Sequence, residues 1–258
     1  MVDGEPSISF PDHFSGHAAD YARFRPDYPG ALFDYLAGIS PARRMAWDCA
    51  TGNGQAARAL ADRFARVVAT DASAGQIAQA VPHPRVEYRV APAEASGLPD
   101  GAADLVTVAQ ALHWFDRPLF WEEARRVLAP EGVIAVWAYD LVRVDPGVDA
   151  AVRRLAREIV GPFWPPERHF VDDGYAAIEL PFEEISAPDL VMEKLWVLSD
   201  LRGYLRTWSA TRRYVASVGE DPLSRIEPEL AAAWGDPGEP RRATWTLDLR
   251  VGLSRARM

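Results

Sequence analysis

A single cysteine and a single lysine stand in a chain of 258 residues, and each scarcity removes chemistry. With Cys49 alone, no intrachain disulfide and no cysteine-based metal cluster can form. Lys194 is the lone lysine beside 27 arginines, so there is no G-x-x-x-x-G-K-[ST] phosphate loop and no Tyr-x-x-x-Lys pair of the kind used by short-chain dehydrogenases. A Schiff-base enzyme would have to use Lys194 itself, and its setting, "VMEKLW", alternates like an ordinary strand. No apolar run reaches the length of a membrane span, and the opening "MVDGEPSISF" carries neither a charged n-region nor an apolar h-region. The expected location is the cytoplasm, with no membrane association.

Basic residues are also outnumbered. The formal charge is −9 and the pI about 5.1, so the average surface repels phosphate backbones and anionic lipid headgroups, and a nucleic-acid partner is disfavoured. Apolar residues at 48% and charged residues at 25% belong to an ordinary globular protein. The length suits one large domain, or one with a substantial insertion.

From residue 45 short apolar runs alternate with helical patterns, the signature of βαβ units around a parallel sheet. Strands are expected at Met45–Asp48, Arg66–Thr70, Val86–Val90, Asp104–Ala109 and Val133–Trp137, with helices at Gln55–Arg63, Ala74–Ala80 and Leu119–Leu128 before an "APEG" turn. A helix at Gly30–Ala37 precedes them, and residues 1 to about 29 form a loop and a short helix. The pattern changes after Trp137: a helix over Val148–Val160, then the Pro- and aromatic-rich "GPFWPPERHFVDDGY", the kind of long loop that serves as a lid or binding loop. Further strands are expected near Phe182–Ile185 with Val191–Leu198, and at Thr244–Val251, where Trp245, Leu247, Leu249 and Val251 share one face. Between these, "DLRGYLRTWSATRRY" reads as one helix. The whole is a doubly wound α/β domain: residues 1–44 a cap segment, 45–138 a cofactor-binding core, 139–243 an insertion facing the substrate, and 244–258 the last strand and tail.

The first strand runs into "DCATGNGQAA". From Gly52 this matches G-x-G-x-x-A, the looser dinucleotide fingerprint. Gly52 and Gly54 let the backbone approach a ligand and turn sharply into a helix; Asp71, seventeen positions after Gly54, ends the second strand where a carboxylate can accept both hydroxyls of a ribose. NAD and S-adenosylmethionine predict these residues equally. Asp48 separates them, because a pyrophosphate would bring negative charge against its carboxylate, whereas a methionine moiety brings an ammonium and a sulfonium. Ala50 at the first turn position also departs from the stricter dinucleotide pattern. After the third strand, Ala93-Glu94 offers an adenine ring a seat and its amine a polar group. The end of the fourth strand puts Gln110, His113 and Trp114 at the ligand edge.

The ordered series "DCATGNGQ", "VVATDAS", "APAEASGLP", "ADLVTVAQALHWFD" and "VLAPEGVIAVW" resembles the motifs of class I S-adenosylmethionine-dependent methyltransferases of the type-11 kind, over roughly residues 45–138. "YARFRPDYP" and "YLRTWSA" are similar to small-molecule members related to trans-aconitate methyltransferase. The resemblance implies a Rossmann-like, seven-stranded, mostly parallel sheet with an antiparallel last strand and helices on both faces. It implies S-adenosylmethionine as cofactor, with Gly52 near the methionine, Asp71 and the adjoining Ala72 on the ribose side, and Glu94 near the adenine.

The expected activity is methyl transfer by in-line displacement to a small molecule, apolar or carboxylated, at O, N or C. A carboxylate acceptor needs no base; for an amine, hydroxyl or acidic carbon the candidate base is His113. His113 and Trp114 either contact the substrate or simply pack the strand-to-helix turn. Tyr21, Arg25 and Trp208 either close over the site, with Arg25 on a substrate or methionine carboxylate, or are solvated and core residues. No metal site is expected: His13 and His17 are four apart, but Pro11 and Gly16 argue against a helix presenting both. Asp172-Asp173 and Glu183-Glu184 read as solvated loop charges, and Cys49 as a small buried residue. Two other functions stay open: an NAD(P)-dependent oxidoreductase, weakened by Asp48 and the missing tyrosine-lysine pair, and a cofactor-binding protein without catalysis.

Overall fold

Five short apolar runs lie side by side as parallel strands in the computed structural model, which describes residues 24–254. They are β1 (Met45–Cys49), β2 (Arg66–Asp71), β3 (Val86–Val90), β4 (Ala103–Ala109) and β5 (Leu128–Ala138). Every residue of β1 and all but the last of β4 are buried, as expected of strands covered on both faces. Alternate side chains feed two cores. Ala46, Val67 and Trp137 join Leu32, Phe33 and Leu60 on one face, while Trp47, Val68 and Val136 join Phe120 and Trp121 on the other.

The strand order is β3-β2-β1-β4-β5-β8-β6, with β7 also pairing β8. β1 therefore lies between β2 and β4, where the winding reverses; the carboxyl edge at that point is where open α/β sheets bind ligands. β8 (Arg241–Leu253) runs antiparallel to β5 from Val133↔Leu253 to Ala138↔Asp248. Its thirteen residues are long enough to pair twice more, with β6 (Glu183–Ile185) at one end and β7 (Leu190–Trp196) along the other. The described strands thus number eight, one more than the seven expected, with the antiparallel pairs confined to this end.

The helices are α1 (Gly30–Ile39), α2 (Gln55–Ala61), α3 (Ala74–Ala78), α4 (Arg117–Val127), α5 (Pro146–Arg154), α6 (His169–Asp172), α7 (Leu198–Arg206), α8 (Ser209–Val218) and α9 (Glu227–Trp234). Three expectations need correction. The segment expected as one helix across residues 200–214 is two. The Thr207 hydroxyl donates to Tyr204 O (2.6 Å), Trp208 is extended (ψ 136), and the chain restarts at Ser209. A threonine hydroxyl that captures a carbonyl of the preceding turn competes with helix continuation. The "APEG" turn lies inside β5: Glu131 takes φ +61 where pairing slips from Ala103↔Leu128 to Leu105↔Val133. The helix expected over Val148–Val160 begins at Pro146, capped by Asp145, and loosens into a π-helical turn over Leu155–Ile159. That wider turn leaves the Ala156 carbonyl to accept from the Trp164 indole (2.9 Å).

Candidate active site

The glycine turn begins where β1 ends. Thr51 N–H donates to Thr70 O (2.9 Å) and Gly54 N–H to Thr51 O (3.0 Å), folding the chain back into α2. Gly52 and Gly54 have φ +57 and +85, and between them they meet two different demands. A Cβ on Gly52 would meet only the Gln76 side-chain oxygen, at 3.8 Å, so that face of the turn is open to a ligand. A Cβ on Gly54 would stand 2.2 Å from the Tyr88 hydroxyl; this glycine is required by the tyrosine packed on it as well as by its dihedral. Ala50 keeps the left-handed conformation, φ +54, that the family's glycine usually supplies.

Asp48 lies beneath this turn and is 1% exposed. Its two carboxylate oxygens accept from the hydroxyls of Thr51 (2.6 Å) and Thr107 (2.8 Å). Burial is the largest influence on its pKa and raises it from 3.8 to about 6; Asp71 adds to the rise, while the two hydroxyls and the Ala57 amide oppose it. The sequence expectation placed this carboxylate directly against a ligand's ammonium. The structure engages it first with the turn it supports.

Asp71, at the end of β2, accepts from Gly52 N–H and Ser73 N–H, both at 2.9 Å, tying the second strand's end to the glycine turn. Its neighbour Ala72 is exposed. Ala93 is buried after β3, and Glu94 is half-buried, one oxygen accepting the Asp116 amide (2.9 Å) just before α4. The glycine turn, Asp71 and the Ala93-Glu94 pair therefore occupy the carboxyl ends of three successive strands, β1, β2 and β3. The open space over Gly52 and the carboxylate of Asp71 suit an adenosyl group with a cationic methionine tail.

A cleft opens at the ends of β4 and β5, one strand away from the turn. The register Cys49↔Val108 and Ala109↔Trp137 brings Ala50, Gln110 and Tyr139 to neighbouring strand ends. The cleft is bordered by Arg25, Gln110, His113, Trp114 and Trp208. Five of the residues singled out in the sequence are thus brought together. Gln110 takes φ +55 and its amide donates to Tyr139 O (2.8 Å). Arg25 donates to the Tyr139 hydroxyl (3.2 Å) and lies 5.5 Å from the centre of the Tyr204 ring. Trp208, 3% exposed, packs 5.6 Å from Trp164.

His113 is 8% exposed, and its Nδ1 is 2.9 Å from the Tyr175 hydroxyl. Burial, then the Arg168 charge, lower its pKa to about 3. A group so weakly basic is a poor general base at neutral pH, and the expectation that His113 might serve as one gains no support.

Sequence reasoning missed Tyr139 and Asp140, flagged Trp164, Arg168 and Tyr175 only as part of a loop, and Tyr204 only among the aromatics of a helix. Arg168 pairs with Asp140 and with Asp172 (3.0 Å) and lies over the Trp164 ring at 4.8 Å. Asp172, expected as a solvated charge, is thereby a half-exposed partner of a cleft residue. Burial lifts the Asp140 carboxyl against the pull of Arg168. Lys194 pairs with Asp27 (2.5 Å) on β7, outside the cleft lining. Tyr21, His13 and His17 lie outside the described residues. Among the described residues, no group of three or more His, Cys, Asp or Glu is placed to hold a metal ion, and no helix is long and apolar enough to cross a membrane.

Residues 47–136 match a family model described as a methyltransferase domain. A candidate methyltransferase of Dictyostelium discoideum is 34% identical over 229 residues, 87% of each chain. A solved structure of a candidate type II methyltransferase from Anaeromyxobacter dehalogenans is 48% identical, with a TM-score of 0.85 over 91% of this chain and all of that one. A candidate methyltransferase of an antibiotic biosynthesis pathway from Anabaena variabilis, 19% identical with a TM-score of 0.51, covers 87% of this chain and 98% of its own and is alike in fold alone.

Proposed function

The chain belongs to the class I S-adenosylmethionine-dependent methyltransferases, and we propose that it places the methyl group on a carboxylate oxygen of a small, partly apolar acid. One feature of the cleft supports this above the rest: the guanidinium of Arg25 stands among the indoles of Trp114, Trp164 and Trp208, beside a histidine whose pKa burial lowers to about 3. Guanidinium groups recognise carboxylates by charge and paired hydrogen bonds, and indoles cover an apolar body.

Gly52, Asp71, Ala72, Ala93 and Glu94 would hold the cofactor, above a turn carried by Ala50 and Gly54 and supported by Asp48. When bound, S-adenosylmethionine supplies a methyl carbon already activated by its sulfonium, which a carboxylate can accept without giving up a proton. The work left to the protein is orientation and the exclusion of water. Gln110, fixed between Tyr139 and the end of β4, borders both the turn and the cleft and aligns the two. Arg25 fixes the acid's position, Arg168, held by Asp140 and Asp172, bounds it, and the indoles close over it. The finer likeness to trans-aconitate methyltransferase, itself a carboxylate chemistry, is consistent with this cleft and remains an expectation of the sequence. The whole chain is read as one methyltransferase domain.

The test is incubation with S-adenosylmethionine and a panel of aromatic and aliphatic carboxylic acids, each beside its amide and alcohol. S-Adenosylhomocysteine should form with acids alone, and the transferred methyl should be released by mild alkali, as from an ester. An alkali-stable methyl on nitrogen or carbon would refute the carboxylate acceptor. Arg25→Ala separates two roles: unchanged affinity for S-adenosylhomocysteine, with weaker use of the acid, would assign Arg25 to the acceptor and not to the methionine carboxylate.

A further inference from the structure

His113 lies in the short 3-10 turn Leu112–Trp114 that leaves Gln110, and what it offers the cleft depends on a residue 62 positions away. Tyr175 is wholly buried and takes φ +64. It is held from its backbone: its amide donates to Phe170 O (2.8 Å), and its carbonyl accepts from the Arg250 guanidinium (2.6 Å). Its hydroxyl reaches His113 Nδ1 at 2.9 Å. Burial holds the proton on the phenol oxygen.

Counting hydrogens settles the direction of this bond. The hydroxyl has one hydrogen, and Nδ1 of His113 is its acceptor among the described residues. A hydrogen on Nδ1 would leave the buried phenol hydrogen without an acceptor at its one hydrogen-bonding partner among the described residues. The phenol therefore donates, Nδ1 accepts, and the neutral ring carries its hydrogen on Nε2. Nδ1 is taken up by Tyr175, which is not among the residues bordering the cleft, whereas His113 is; we infer that Nε2 is the nitrogen turned to the cleft.

We propose that Tyr175 is a positioning residue that holds His113 as the neutral Nε2–H tautomer, so that the cleft meets its acceptor with a hydrogen-bond donor and selects a molecule presenting an oxygen that can accept. The selection of an oxygen rests on the carboxylate reading above; the tautomer does not. Burial and the Arg168 charge both oppose an imidazolium, and Asp140, a carboxyl bordering the cleft, is engaged by Arg168.

The experiment is nitrogen NMR of the full chain labelled with ¹⁵N-histidine, the His113 signals being identified by their loss in His113→Gln. In the wild type, Nδ1 should appear unprotonated and Nε2 protonated from pH 5 to 9 without titration. In Tyr175→Phe, which removes only the hydroxyl, both tautomers should appear. A hydrogen on Nδ1 in the wild type, an imidazolium signal above pH 6, or an unaltered spectrum in Tyr175→Phe would each overturn the proposal. If that variant does not fold, the wild-type tautomer alone decides. Adding benzoate or succinate with S-adenosylhomocysteine should then move the Nε2–H resonance saturably. A protonated Nε2 that responds to neither acid would overturn the carboxylate reading and leave the role of Tyr175 standing.

Discussion

Replacing Asp48 by asparagine should make the protein more stable and a worse binder of its cofactor, and the gain should depend on pH in a calculable way. The folded carboxyl holds its proton up to about pH 6, the unfolded one only to 3.8. Between these values the folded state binds more protons, so stability falls as pH rises from about 4 to 6 and is level above. A shift of this size amounts to about 3 kcal/mol on the ionised, buried carboxylate. Asparagine carries no such cost, and the Thr51 and Thr107 hydroxyls can turn to serve an amide as well as a carboxylate. The stability difference between Asp48→Asn and wild type should therefore be near zero at pH 4 and approach about 3 kcal/mol at pH 8, roughly 6–12 °C in midpoint for a chain near this size. Other groups titrate alike in both proteins and cancel in the difference. Urea denaturation at five pH values measures it, with S-adenosylhomocysteine affinity followed alongside. A carboxylate that serves a cationic methionine should lose affinity as the wild type is brought below pH 6, while the variant binds weakly throughout. An Asp48→Asn protein no more stable than wild type at pH 8, or a gap that does not shrink toward pH 4, would refute the reasoning.

At Gly54 an alanine would meet the Tyr88 hydroxyl at 2.2 Å and hold φ +85, two penalties that together should cost about 2–4 kcal/mol in urea unfolding; a loss under about 1 kcal/mol would contradict the packing. Asp104 is fully buried and accepts from the amides of Arg44 (2.8 Å) and Met45 (3.3 Å) and from the Arg44 guanidinium. Asp104→Ala strands those amides and should destabilise by about 2–4 kcal/mol. Burial works to raise the Asp104 pKa, but Arg44 and the amides outweigh it and hold it low. Its folded value is depressed, so the contribution is present above about pH 4 and lost as pH falls through the folded pKa; a wild-type minus variant difference that does not shrink on acidification would be the contrary result. S-Adenosylmethionine or S-adenosylhomocysteine at a hundred times its dissociation constant should add about 2.7 kcal/mol, raising the midpoint by several degrees, while NADH should leave it in place.

The sheet and the glycine turn were legible because their causes are local. Strand β3 falls where its alternation put it, and Gly52, Gly54 and Asp71 stand at strand ends because apolar runs stop there. What the sequence concealed depends on side chains meeting across long separations. Asp48 could be placed at a strand end, but its capture by Thr107, 59 residues on, could not. The loop holding Trp164 and Arg168 was marked by its prolines and aromatics, yet the residues facing the cleft are chosen by the π-helical turn before it and by Asp140. The break at Thr207 came from one hydroxyl overriding a strong helical pattern. Tyr175 closed the same loop with nothing to single it out, as its value lies in meeting His113.

Three non-glycine residues with left-handed backbones, Ala50, Gln110 and Tyr175, gather at this one edge of the sheet, and strain at such places persists only where the surroundings enforce it. At Ala50 the enforcement is by backbone alone, since Thr51 N–H is fixed to Thr70 O. Ala50→Gly should keep the turn, relieve about 1 kcal/mol of steric strain offset in part by unfolded-state entropy, and leave cofactor affinity unaltered. At Gln110 the side chain is itself an enforcer, through its bond to Tyr139 O. Gln110→Gly relieves the same strain but frees Tyr139, the residue whose hydroxyl accepts from Arg25, so stability should not rise and acceptor use should fall. Chemical denaturation and turnover of the two variants, compared side by side, decide the matter. Equal stabilisation with activity retained in both would mean that the Gln110–Tyr139 bond holds nothing in place, and that the cleft keeps its shape without it.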